Sequence, residues 1–77
     1  MDADTKDRFA ISCIVVSTRS GMANIARAHS QDPESRDRLQ KATLERGNAL
    51  LTALEQGHVL SRDIVPVMRA ARVTLAR

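Results

Sequence analysis

Aromatic side chains are almost missing from this chain. Phe9 stands alone, with no Trp and no Tyr in 77 residues. Any core must be assembled from Ala, Leu, Val, Ile and Met, which suit helix-on-helix packing. Cysteine is equally scarce. Cys13 is single, so no internal disulfide can staple the fold, and one unpaired thiol fits a reducing compartment. Cys13, His29 and His58 are far apart, with no pair at metal-ligand spacing, so neither a metal nor a cofactor is expected. The three glycines (Gly21, Gly47, Gly57) are isolated, which excludes a phosphate-cradling loop. With two prolines besides, the chain has little turn material for an all-β fold.

Long hydrophobic runs are lacking too. The best, Phe9 to Val16, falls well short of the roughly 20 residues that cross a bilayer. It follows Asp2, Asp4 and Asp7, where a secretory leader would carry basic residues. The expectation is a cytoplasmic, bacterial-type protein with no membrane span, and the initial Met suits a complete small gene product. A composition 43% hydrophobic and 27% charged argues against disorder. The net charge of +3 is mild but uneven: Arg62, Arg69, Arg72 and Arg77 face Asp63 alone in the last quarter.

What the chain does have is helical periodicity. A first helix is expected over about 5–29, capped by Asp4 or Thr5, with Asp7 in its first turn. Ile11, Ile14, Val15, Thr18, Met22 and Ile25 share one face, and Phe9, Cys13 and Val16 form a second stripe beside it. Arg8, Ser12 and Arg19 mark a narrow polar strip. The β-branched content of residues 9–18 also allows a strand, which would have to pair with its copy in another molecule. A second helix is expected over 33–56. Asp32 caps it, Pro33 sits at the first helical position and Gly57 ends it as a C′ residue. Its inward face centres on Leu39, Thr43, Arg46, Leu50, Ala53 and Leu54, widened by Leu44 and Leu51. A third helix is expected over 63–76, capped by Ser61 or Asp63, with Ile64, Val67, Met68, Ala71 and Leu75 as its apolar stripe. The fold expected is all-α: one domain over residues 1–77, an antiparallel hairpin plus a shorter C-terminal helix, completing a bundle by dimerisation.

Catalysis finds no foothold. Cys13 lies in the greasiest stretch without a neighbouring base, and His29 and His58 read as helix-end residues. The chain is read as a non-enzyme. The segment from Ala53 to Val73 loosely evokes a helix-turn-helix, so a DNA-binding regulator using the basic C-terminal helix is the alternative. Against it stand the long turn, Pro66 near the start of the would-be reading helix and the small net charge.

The remaining feature is surplus apolar surface. A helix apolar around most of its girth must be surrounded, and a chain this short buries only about 60% of its unfolded surface. The reading is therefore a small interaction protein of the regulator, inhibitor, antitoxin or chaperone type, partnered by its own copy, a larger protein or both. Its association surface is expected at Phe9, Ile11, Ile14, Val15, Val16, Met22 and Ile25. Arg62, Arg69 and Arg72 are the candidate polar contacts to an acidic partner.

Overall fold

The computed structural model describes residues 2–77, and within them the protein is all-helical, with no strand. Three helices run in order: α1 Ala3–Ala28, α2 Pro33–Gly57 and α3 Val65–Ala76. The body is elongated, 45 × 19 × 18 Å, because α1 and α2 are 26 and 25 residues long. Residues 9–18 are helical throughout. The three-to-four spacing of Ile11, Ile14, Val15 and Thr18 matches a helix packed on one side, and this prevails over β-branched propensity.

The helix ends show where local chemistry decides. Asp2, rather than Asp4 or Thr5, caps α1. Its carboxylate accepts from the Thr5 N–H at 2.7 Å, and the Asp2 carbonyl accepts from the Lys6 N–H. Asp32 caps α2 as expected, accepting from the Ser35 N–H at 3.2 Å. Both carboxyls are held below their ordinary pKa by these bonds. For Asp2 the Thr5 backbone N–H matters most, and for Asp32 the bonds with Ser35 do.

Two ends differ from expectation. Gly57 is the last residue of α2 and has no left-handed conformation; no described residue has a positive φ. The chain leaves the helix through His58 in extended geometry, φ −166° and ψ 164°, so no left-handed cap is needed. Nor does Asp63 or a Ser61 side chain cap α3. Ile64 occupies the cap position, and the Ser61 carbonyl accepts from the Ile64 and Val65 N–H groups at 3.0 and 3.1 Å. That backbone turn places Pro66 in the first helical turn, where a missing N–H costs nothing.

The core is one cluster: Ile11 from α1, Leu51 from α2, and Ile64, Met68, Ala71 and Leu75 from α3. Leu51 and Ile64 are fully enclosed. The α3 stripe is as the sequence implies. The inward face of α2 is not: Gly47 and Leu51 are buried, while Arg46, Leu50 and Ala53 are exposed. The reason lies at the crossing with α1. A Cβ on Gly47 would meet Thr18 Cγ2 at 2.9 Å and Thr18 Cβ at 3.2 Å, so only glycine lets the two backbones come this close. That approach turns Leu51, one helical turn on, into the centre. Farther along, a Cβ on Gly21 would stand 3.4 Å from Thr43 Cγ2, and Gln40 Nε2 donates to the Met22 carbonyl at 3.1 Å. Rising numbers on α1 meet falling numbers on α2, so the two helices run in opposite senses.

Candidate functional site

The crossing at Thr18 and Gly47 fixes which way α1 is turned, and so divides the surface expected for association. Ile11 is spent on the chain's own core at 2% exposure, with Ile14 and Val15 packed against that core. Met22 and Ile25 are half-buried on the same side. Phe9 and Val16 point the other way, 67% and 64% exposed. The two apolar stripes of α1 are thus an inner one, satisfied within the molecule, and an outer one facing water.

The outer stripe follows a strict alternation of four and three residues. Asp2, Lys6, Phe9, Cys13, Val16, Ser20, Ala23 and Arg27 are each exposed. From Lys6 on, the spacing brings them into a single seam, since positions repeating at 3.5 residues stay on one side of a helix; Asp2, the cap, stands at its head with its carboxylate on the Thr5 N–H. Between Lys6 and Arg27 this seam carries no charge. It holds one large side chain, Phe9, one branched one, Val16, and otherwise the small residues Cys13, Ser20 and Ala23. The other exposed large apolar residues are on other elements: Leu50 on α2, Val59 in the linker, and Val65 and Val73 on α3; single apolar residues at a surface are common.

The candidate arginines differ in circumstance. Arg72 is committed within the chain: its guanidinium donates to Glu55 Oε1, at 3.0 Å from Nε, and to Thr52 Oγ1 at 3.0 Å, strapping α3 onto α2. Arg62 and Arg69 are exposed. Arg69 and Arg72 border an open groove of about 230 Å³ with Glu55, Val65 and Met68. A second groove, about 240 Å³, lies where α1 meets the end of α3, between Arg19 and Arg77 over a floor that includes Met22 and Leu75.

One polar pair could not be foreseen. Asp7, buried on the inner side of α1, accepts from His58 Nε2 with both carboxylate oxygens at 3.0 Å. The His58 side chain is 46% exposed and Asp7 only 9%, so the imidazole shields the carboxylate from one side and meets water on the other. The contact pins the linker after α2 to the first third of α1. Ser61, in the same linker, keeps its Oγ buried without a hydrogen-bond partner, so it is not engaged by His58. Among the described residues no group of three potential metal ligands converges.

α1 is also long and apolar enough to cross a membrane by length and composition, with a mean hydropathy of 1.3 over its best 18 residues. The apolar run is short, but Ser, Thr, Gly and Ala extend it with only mildly polar surface. No protein-family model matches the chain, and neither a curated protein nor a solved structure is detectably similar to it.

Proposed function

We propose that this protein is a small, non-enzymatic protein–protein interaction module whose docking surface is the outer seam of α1. The observation that carries this reading is the exposure of Phe9 and Val16 on an uncharged strip of the longest helix. Water-facing apolar groups that share one strip mark a contact surface more often than scattered ones do. The inner members of the apolar set, Ile11, Ile14 and Val15, serve the fold instead. Arg62 and Arg69 lie off this strip, on or beside α3, and are secondary contacts at most.

The test is affinity capture together with light scattering on the intact protein and on a Phe9→Asp/Val16→Asp variant. Both substituted positions face water, so circular dichroism of the variant should match the parent. The reading expects the parent to bind a protein, its own copy or another, and the variant to lose it. A parent that neither self-associates nor retains any protein through these two side chains defeats the proposal.

A further inference from the structure

Resting on that docking surface, we infer that its occupant is a second copy of this chain, its α1 lying antiparallel to the first in one register. The order of charge along the seam sets both partner and register. An antiparallel pair with a repeat of four and three brings alternate seam positions of one helix opposite those of the other. In one register Asp2 faces Arg27 of the second copy, Lys6 faces Ala23, Phe9 faces Ser20, and Cys13 faces Val16, each pair occurring twice about a two-fold axis. Opposite charges then meet at the outermost positions, Lys6 lies next to each end against the small Ala23, where its long stem reaches water, and the uncharged stretch from Phe9 to Ser20 is matched with itself. Sliding the helices by one heptad in one direction sets Lys6 against Val16. Sliding them in the other sets Arg27 against Phe9. Either shift breaks the match of Asp2 with Arg27 and sets a cation against a large apolar side chain instead of the small Ala23, a costlier arrangement.

Three further features agree. Phe9 meets the small Ser20, so bulk fills space rather than colliding with bulk. Cys13, Ser20 and Ala23 permit close approach of the two backbones. Antiparallel helices set each positive N-terminus beside a negative C-terminus. From Lys6 to Ser20 the seam lies opposite the α1 face that closes the core, and at Ala23 it borders the groove shared with Thr74, Leu75 and Arg77, so the end of α3 in each copy flanks the contact. A pair of α1 helices is a small interface, and the dimer is therefore concentration-dependent.

Cysteine cross-linking reads the register directly. With Cys13→Ser as background, Lys6→Cys and Ala23→Cys chains are prepared separately and mixed under mild oxidation. In the inferred register Lys6 faces Ala23 of the second copy, whereas the two copies of position 6 are about 25 Å apart. The mixed disulfide should dominate, with neither chain alone cross-linking. Homodisulfides formed by each chain alone at the mixed yield indicate a parallel pair and overturn the inference. Sedimentation of the unmodified protein supplies the second arm: a dimer that dissociates on dilution, and is lost in Val16→Asp at unchanged helicity, is expected. A parent monomeric at every concentration refutes self-pairing. If that monomer still captures another protein through Phe9 and Val16, the docking surface stands and only its occupant is wrong. Flotation with lipid vesicles in place of protein capture refutes both.

Discussion

At the scale of single residues, two glycines of the same pattern make opposite predictions. Gly47 sits where α1 and α2 touch, and an added methyl would press into Thr18, whose branched, buried side chain cannot swing away. Gly47→Ala should cost about 1–3 kcal/mol despite the better helix propensity of alanine. Chemical denaturation measures it. Removing the obstacle in Gly47→Ala/Thr18→Ala should recover part of the loss, a non-additivity expected only of residues in contact. Gly21→Ala meets Thr43 Cγ2 at an ordinary 3.4 Å, so it should gain about 0.4–1 kcal/mol by restricting the unfolded chain. Equal effects from the two substitutions would contradict the crossing. Leu51, fully enclosed, sets the scale: truncation to Ala should cost about 2–5 kcal/mol, a large part of the stability of so small a domain.

The elements show what could be read in advance. α2 announces its start through Asp32-Pro33, and the structure agrees because capping is local chemistry. For the same reason acid should fray these starts. The folded-state pKa values of Asp2 and Asp32 are depressed, so their contribution to stability is full above the unfolded carboxyl value of about 3.9 and disappears as pH falls through the lower folded values. Amide exchange at Thr5 and Ser35, the N–H groups they accept from, should accelerate in that acid window relative to mid-helix amides, after correction for intrinsic rates. Asp32→Ala should show the faster Ser35 exchange already at neutral pH. The path of the chain out of α2 and the cap of α3 are not legible, because the linker between them is held by tertiary contacts. His58 reaches Asp7 across 51 positions of sequence, and no local pattern records that. The same holds for the face of α1: Ile11 and Val16 look alike in sequence, and only the Thr18–Gly47 approach tells inner from outer.

For the molecule as a whole, the division of α1 into two faces separates folding from association. The inner face closes the core with α2 and α3, and the linker is latched by Asp7 and His58. Phe9 and Val16 of the outer seam add no buried contact to the isolated chain. A charge at Ile14 or Val15, which pack against the core, should therefore lower the thermal midpoint at any protein concentration. A charge at Val16 should leave the midpoint of the dilute protein unchanged. Pairing through α1 adds a further consequence by mass action, since whatever binds only the folded state raises its apparent stability. The midpoint of the unmodified protein should then climb as its concentration is raised across the dissociation constant, while that of Val16→Asp stays level. Calorimetry at a series of concentrations distinguishes the cases: parallel curves for parent and variant would mean that the seam of α1 is not where the molecules meet.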